Sequence, residues 1–217
     1  MLTESALKLE HLRQDVQACY REKGTDLLFH GWHHIAFVQK KSLEFGKAIG
    51  ADLFYVESAA LVHDINYMVK AFSNPEAGTH LRSDLLRGAG YTDEEIQNVE
   101  ALILEADVAR RGADLSLEGQ ALSDADSLFK VLPITPVIFS SKYIAENKVD
   151  LLKLATIIIR DQNPLIEGGI YFYTDMAKEK YLAWAKLNLQ LWNQILDSLH
   201  DPDVQELLQT ARAIGVV

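Results

Sequence analysis

The sequence is poor in cysteine, poor in basic residues, and without a long apolar run. Its single cysteine, Cys19, cannot form an intrachain disulfide, and a chain without disulfides is typical of a reducing compartment. No apolar run approaches the roughly 18 residues that span a membrane, and the charged N-terminal segment lacks the apolar core of a signal peptide. We therefore expect a soluble, cytoplasmic protein that does not bind membranes.

Positive charge is scarce as well. The chain has 21 Lys and Arg residues against 31 Asp and Glu residues, which gives a formal net charge of -10 at pH 7. Proteins that hold DNA or RNA by neutralising phosphates need a basic surface. We expect no stable binding of nucleic acid, although a local basic pocket for a single phosphate group is compatible with this charge.

What the sequence does contain is typical of one globular domain. Hydrophobic residues make up 48% of its 217 residues, which is an ordinary fraction for a folded protein. This length suits a single domain with a full core, and no repeat, low-complexity tract or linker divides it. We therefore predict one domain over residues 1–217.

The spacing of apolar residues is helical almost throughout. It predicts a helix over about 33–49, a glycine stop at Gly50, and a further helix that is capped by Asp52 and carries "ALVHDINYMV". Thr92 and Glu95 have the spacing of a capping box, and "TDMAKEKYLAWAKLNLQLWNQILDSL" predicts a long helix. The segment "LATIIIRD" is rich in β-branched residues but has no strand pattern beside it. The sequence predicts an all-α fold.

An adjacent histidine and aspartate interrupt one of these apolar segments. His63 and Asp64 stand between Val62 and Ile65, and a buried carboxylate is costly unless it is paired or bound to a metal. An internal His–Asp hydrogen bond or a helix-end cap is the simpler interpretation of one such dipeptide. His34 lies at helical spacing from apolar residues of its own helix, so it too should face the interior.

A third segment changes that interpretation. "ALSDADSLFKV" places Asp124 and Asp126 in another predicted helix with an apolar face. Three separate helices then offer an inward imidazole, an imidazole with a carboxylate, and a carboxylate. These are the side chains that bind divalent transition metals.

The order of these groups resembles the HD-domain superfamily of metal-dependent phosphohydrolases. The segments "GWHHIAFV", "AALVHDI", "GTHLRSDLLRGAGYTDEEIQNVEALI" and "LSDADSLF" are similar to those of stand-alone HD hydrolases. The resemblance covers about residues 25–130 and implies an HD-type helical bundle, with residues 131–217 as a C-terminal helical extension. Three ordered motifs are far more specific than one His–Asp pair.

The resemblance also implies a ligand set and a reaction. His34, His63, Asp64 and Asp126 would bind a divalent cation, namely Mn, Fe, Co, Ni, Zn or Mg, among which the sequence does not choose. Asp126 is preferred to Asp124 because the family shares an A-D-x-L pattern around its aspartate. The implied activity is hydrolysis of a phosphoester, in a nucleotide or another small phosphorylated metabolite, by a metal-activated water that Asp64 also orients.

Further positions follow from the same resemblance. His80 stands where family members with two metals bring an additional histidine, and it could protonate the leaving group. Glu105 stands where a second histidine is expected, so it is a ligand, a general acid or an exposed helix residue. Lys41 and Arg82 are the cations we expect to contact the substrate phosphate, with a solvated helix face as the alternative.

Two other classes of protein remain open at this point. Di-iron oxygenases similar to myo-inositol oxygenase share the helical scaffold, but they need the extra ligands that Glu105 replaces. The third class is a non-catalytic module that binds a metal or a nucleotide. Trp184 and Trp192 in the long helix predict core packing or a dimer seam, so a homodimer is the expected assembly.

Overall fold

A computed structural model of the chain describes residues 3–107 and 110–216. Every regular element within these residues is helical, which confirms the all-α prediction. The α-helices are α1 (Glu4–Lys23), α2 (Trp32–Ile49), α3 (Leu53–Val62), α4 (Asn66–Val69), α5 (Thr79–Gly88), α6 (Asp93–Ala106), α7 (Leu117–Val131), α8 (Thr135–Ile138), α9 (Ser140–Asn147), α10 (Leu151–Glu167), α11 (Asp175–His200) and α12 (Pro202–Ala213). In the described ranges, no helix is long and apolar enough to cross a membrane.

Local capping explains where several of these helices begin and end. Thr92 Oγ1 accepts from the backbone N–H of Glu95 at 3.2 Å, and Glu95 Oε2 accepts from the Thr92 N–H at 2.7 Å, so the capping box is confirmed. Asp52 caps α3 through the N–H of Phe54. Gly50 ends α2 with a φ of 78°, a conformation that glycine adopts without a Cβ penalty.

Helix α2 is central to the fold and packs against α3 and α7. Ile35, Val38 and Phe45 have no exposed surface and anchor α2 in the main core. His34, which lies on the same helix, is also fully buried. The inward direction predicted for His34 is therefore confirmed, and α2 carries a polar side chain into the interior.

The C-terminal helices contribute a second, smaller core. α10, which contains "LATIIIRD", packs against α11. Leu154, Ala155 and Trp192 are buried there together. Trp192 Nε1 donates to Asn188 Oδ1 at 3.2 Å, and Asn188 Nδ2 donates to Gln162 Oε1 at 3.1 Å. Trp192 therefore packs in this core, while the homodimer and the single-domain organisation stay predictions.

The segment with His63 and Asp64 differs from the prediction. The sequence predicted one helix across both residues, but α3 ends at Val62, His63 is its C-cap, and Asp64 lies in the turn before α4. The last carbonyl groups of a helix lack partners within the helix. His63 Nδ1 provides one, because it lies 2.9 Å from the carbonyl oxygen of Ala60. This contact with the last turn of α3 therefore fixes the orientation of the His63 imidazole.

Candidate metal centre

Three side chains from two regions of the chain meet in one cluster. His34 comes from α2, and His63 and Asp64 come from the turn after α3; their ligand atoms all lie within 4.8 Å of one another. Asp64 Oδ2 is 2.9 Å from His34 Nε2 and 3.3 Å from His63 Nε2. The two Nε2 atoms are 3.2 Å apart. These three side chains therefore converge on one point.

Asp126 approaches the same point from α7. Its Oδ1 lies 3.6 Å from His34 Nε2. Its Oδ2 accepts a hydrogen bond from Lys130 Nζ at 2.7 Å, one helical turn further along α7. We refer to His34, His63, Asp64 and Asp126 as the cluster. The cluster therefore combines two imidazoles with two carboxylates, and a lysine lies at its edge.

Asp124 points elsewhere and has a structural environment. Its carboxylate accepts from the backbone N–H groups of Tyr173 and Thr174 at 2.8 and 2.7 Å, and from Arg111 Nη1 at 3.0 Å. These bonds fix the start of α11 to α7. Of the two aspartates in "SDADSL", the structure places Asp126 beside His34 and buries Asp124 among backbone donors.

The hydrogen bonds and charges around the cluster act differently on its members. Burial opposes protonation of His63, but the attraction of Asp64 and Asp126 raises the pKa of His63 above its ordinary value, so a cation that binds Nε2 would displace a proton from the ring. Because His63 Nδ1 faces the Ala60 carbonyl oxygen, Nδ1 carries the proton in the neutral ring and Nε2 has a free lone pair. Burial lowers the pKa of His34, and the attraction of Asp64 offsets this only in part. Burial opposes ionisation of Asp64, but the attraction of the protonated His63 ring and, after it, the contact with His34 hold the pKa of this carboxyl well below its ordinary value. A neutral His34 and an ionised Asp64 follow at pH 7.

The polar atoms of the cluster fit a bound cation. Asp64 Oδ2 and His34 Nδ1 are buried without a hydrogen-bond partner among the described residues. A buried carboxylate oxygen without a donor is costly, and a cation would satisfy it. Two imidazole nitrogens and two carboxylate oxygens suit divalent transition metals. Across residues 3–107 and 110–216, no second group of three such side chains is found.

One cavity adjoins the cluster, and a second cavity adjoins the first. The first, the cluster cavity, has a volume of about 200 Å³ and reaches His63, Asp64 and Asp126. The loop that contains Ser73 and Asn74 forms its outer wall. The second, the apolar cavity, has a volume of about 220 Å³ and extends toward α10 and α11. The side chains that line both cavities are His30, Tyr67 and Lys130.

His30 is held rigidly at this boundary. Its Nδ1 contacts Glu146 Oε1, and Glu146 Oε2 accepts from the backbone N–H groups of Phe29 at 2.7 Å and of His30 at 3.2 Å. The His30 ring stacks on Tyr67 with centroids 3.7 Å apart and an interplanar angle of 7°. Burial opposes the ionised form of Glu146, but the contact with His30 lowers the pKa of this carboxyl below its ordinary value.

Two residues predicted to be catalytic lie away from the cavities. His80 is exposed near the start of α5. Glu105 accepts from the backbone N–H and, at 2.9 Å, from the Oγ of Ser116, the residue that caps α7. Within the described chain neither residue lines the two cavities. The structure therefore does not bring His80 or Glu105 to the cluster, because the first faces solvent and the second joins α6 to the start of α7.

The cations predicted to contact substrate are likewise engaged in other contacts. Arg82 has no exposed surface, and its Nε and Nη2 donate to the Glu100 carboxylate at 2.7 and 2.6 Å. Lys41 Nζ donates to Glu44 Oε2 at 2.7 Å and to Tyr181 Oη at 3.2 Å. The structure does not bring Arg82 or Lys41 to either described cavity.

Sequence reasoning missed Lys130 and His30, which line both cavities, and Glu146, which contacts His30. Lys130 follows Asp126 by four positions, and His30 precedes His34 by four, so helical spacing was a signal for Lys130 and a weaker one for His30, which lies just before α2. Glu146 is 116 positions from His30. No pattern in the sequence links a pair so far apart.

The sequence and the fold were compared with those of known proteins. No family model matches the sequence. The chain is similar to the uncharacterized protein YpgQ of Bacillus subtilis (strain 168), with 33% identity over 123 residues. The match covers 55% of this chain and 58% of YpgQ, so the chain spans little more than half the length of this curated relative.

Solved structures share the fold over most of the chain. The crystal structure of Bacillus subtilis YpgQ in complex with ADP has a TM-score of 0.64 at 23% identity, covering 93% of this chain and 100% of that one. A protein from Lactobacillus plantarum has a TM-score of 0.57 at 20% identity, covering 88% of this chain and 95% of that one. At such identities the likeness shows the helical fold alone.

Proposed function

We propose that this chain is an HD-type, metal-dependent phosphohydrolase that acts on a nucleotide or another small phosphorylated metabolite. The observation that supports the proposal most directly is the convergence of two imidazole nitrogens on the buried Asp64 Oδ2, which lies within 3.3 Å of both. The resemblance of the His34, His63–Asp64 and Asp126 motifs to the HD superfamily supports the same conclusion. A donor set of this kind, open to a cavity, is suited to hydrolysis.

The four cluster residues would hold the cation, which on binding supplies a water of lowered pKa and polarises a phosphate oxygen. The remaining chemistry belongs to the protein. The Asp64 carboxylate, kept ionised at neutral pH, can accept a hydrogen bond from an attacking water and so orient it. Lys130 supplies a positive charge at the open side of Asp126, where a phosphate oxygen would need one.

A nucleotide is the best-supported substrate class. The similar crystal structure of YpgQ holds ADP, and the cluster cavity of this chain shares His30, Tyr67 and Lys130 with a second, more apolar cavity. A nucleotide has both an anionic end and an uncharged end. The two adjacent environments near the cluster correspond to those two chemical parts.

The placement of His80 and Glu105 does not favour the oxygenase alternative. A di-iron centre needs further ligands, and the two residues expected to supply them face solvent or Ser116. The non-catalytic alternative shares the metal site and differs only in turnover. Turnover therefore separates it from the proposed function.

The experiment that tests the proposal measures metal content and hydrolysis on the same samples. We expect protein reconstituted with Mn²⁺ and passed through a desalting column to retain about one equivalent by elemental analysis, as a single cluster implies. The Asp126→Asn variant should lose most of that metal. Asp197→Asn, an exposed aspartate on α11, is the matched control and should retain it.

Hydrolysis is then assayed as phosphate release from a panel of nucleoside mono-, di- and triphosphates and sugar phosphates. Metal-dependent release that Asp126→Asn abolishes and Asp197→Asn preserves would support the proposal. Equal metal content in all three proteins would refute the ligand assignment. Metal retention without release from any member of the panel would favour the non-catalytic module.

A further inference from the structure

The apolar cavity has no role in the proposed chemistry, yet it lies next to the cluster cavity. His30, Tyr67 and Lys130 line both cavities, so the two spaces share a boundary. Each volume, about 220 and 200 Å³, is below the roughly 300–1,000 Å³ of pockets that enclose drug-sized ligands. A ligand of that size would need to occupy both.

The walls of the apolar cavity suit an uncharged group. Phe29, Tyr143, Ile158, Leu165, Tyr171 and Trp192 contribute much of the lining. The hydroxyl groups nearby are already engaged: Ser140 Oγ donates to the Pro136 carbonyl and Thr135 Oγ1 to the Phe129 carbonyl, both at 2.6 Å. Ser127 Oγ accepts from Arg111. The lining also contains Asp161, whose carboxylate accepts from Arg160, and an acidic group disfavours an anionic ligand in this cavity.

Charge is instead concentrated where the cavities meet. Of the three residues that line both cavities, Lys130 is the lysine, and its Nζ donates to the carboxylate of Asp126. Beside it lies the flat pair of His30 and Tyr67, stacked at 3.7 Å and fixed by Glu146. A ligand that passes this boundary would place its anionic end beside Lys130 and the cluster. Its uncharged end would lie among aromatic and aliphatic side chains, which favour planar apolar groups.

We propose that the apolar cavity binds the nucleobase of a nucleotide whose phosphates lie at the cluster. The site takes an uncharged aromatic heterocycle, and Ile158, Leu165 and Tyr171 determine which bases fit. The phosphate half of this assignment rests on the proposed function, whereas the base half rests on the cavity alone. The two halves can therefore be tested separately.

The intrinsic fluorescence of Trp192 provides the first test, because this side chain lines the apolar cavity and is only 3% exposed. We expect adenosine and ADP to change the tryptophan emission of the protein in a saturable manner, and inorganic pyrophosphate to leave it unchanged. The Trp192→Phe variant should lose the response, which assigns it to this residue. Saturable binding of ADP, measured by calorimetry, without any change in emission would overturn the proposal, as would an equal response to pyrophosphate.

A cavity-filling substitution provides the second test. We expect Ile158→Trp to weaken ADP and adenosine binding at least tenfold, with unchanged Mn²⁺ content and unchanged affinity for pyrophosphate. Thr156→Trp, at an exposed position on the same helix and outside the described lining, is the matched control and should bind ADP as the unmodified protein does. Thermal unfolding of both variants checks that they are folded, and the Trp192 experiment needs no substitution that fills the cavity.

The outcomes distinguish this proposal from the proposed function. Adenosine binding without metal retention or turnover would leave the nucleobase site standing and remove the hydrolase. Metal-dependent turnover together with unchanged ADP affinity in a folded Ile158→Trp protein would support the hydrolase and overturn the nucleobase site. Absence of any adenosine or ADP binding would overturn the nucleobase site.

Discussion

Among single residues, Lys130 joins the cluster to both cavities. Burial disfavours its charged form, but the neighbouring Asp126 carboxylate raises the pKa of Lys130 above its ordinary value, so the side chain stays protonated at neutral pH. We expect Lys130→Gln to raise KM for a nucleotide substrate roughly tenfold, since a hydrogen bond to a charged group contributes about 1.5–3 kcal/mol. Steady-state kinetics measures this change.

The same substitution should leave metal binding intact, because Lys130 donates to Asp126 and is not itself a ligand. Elemental analysis of Lys130→Gln should match that of the unmodified protein. Lys153→Gln, an exposed lysine on α10, is the control and should change neither quantity. An unchanged KM in Lys130→Gln would remove this lysine from the phosphate site.

Glu146 stabilises the protein in a pH-dependent way. Its pKa in the folded chain lies below the ordinary 4.5, because its contact with His30 outweighs the effect of burial. A group with a lowered folded pKa contributes stability above its unfolded pKa and loses it as the pH falls through the folded pKa. We expect Glu146→Gln to lower the free energy of unfolding at pH 7 by about 1–3 kcal/mol.

The difference between the two proteins should shrink as the pH is lowered from about 4.5, since the unmodified protein then loses the contribution that the variant never had. Denaturant unfolding at a series of pH values measures both curves. A difference that stays constant down to acid pH would show that the charge of Glu146 has no part in stability. Glu167→Gln, an exposed glutamate at the end of α10, should give no difference at any pH.

The cluster residues could be identified from the sequence, but their surroundings could not. His34, His63, Asp64 and Asp126 belong to short motifs whose order is informative. The pairing of His30 with Glu146 depends on how α9 packs near the start of α2, and no local pattern encodes it. For that reason the residues around the cavities became evident only from the fold.

At the scale of elements, the start of α2 is the most constrained segment near the cluster. Gly31 is the N-cap of α2, between His30 and His34, and a Cβ built on it would lie 2.5 Å from the carbonyl oxygen of Leu27. Backbone atoms cannot move aside cheaply. We expect Gly31→Ala to destabilise the protein by about 1–3 kcal/mol through overpacking, which would lower Tm by roughly 2–10 °C in a chain of this size.

Gly88 is the matched control for that prediction. A Cβ at this exposed position at the end of α5 would approach only Asp15 Oδ2, at 4.0 Å. Since alanine has the higher helix propensity, Gly88→Ala should keep or slightly raise Tm. Thermal unfolding followed by circular dichroism measures both variants, and equal Tm values would mean that the Leu27 carbonyl moves away without cost.

The bounds of the longer helices followed from apolar spacing and caps, as α2, α6 and α11 show. The end of α3 did not, because apolar spacing continues past Val62 to Ile65. The helix ends there although nothing in its hydrophobic pattern changes. The hydrogen bond between His63 Nδ1 and the Ala60 carbonyl oxygen, three residues earlier, does not affect the apolar spacing, so the hydrophobic pattern does not indicate where α3 ends.

For the whole molecule, the cluster links three distant parts of the chain. Its residues come from α2, the turn after α3, and α7, so a cation bound there would connect helices that otherwise contact one another through the apolar core. Such a ligand binds the folded chain and not the unfolded one. Binding must then raise stability by mass action.

We therefore expect Mn²⁺ at about 100 times its Kd to stabilise the protein by about 2.7 kcal/mol, which corresponds to a rise in Tm of roughly 5–10 °C for a chain of this size. Differential scanning calorimetry with Mn²⁺ and with excess chelator measures the shift. Asp64→Ala should abolish it, because this substitution removes the oxygen that lies within 3.3 Å of both imidazole nitrogens. Asp197→Asn should preserve the shift, and an equal rise in Asp64→Ala would place the Mn²⁺ site elsewhere in the chain.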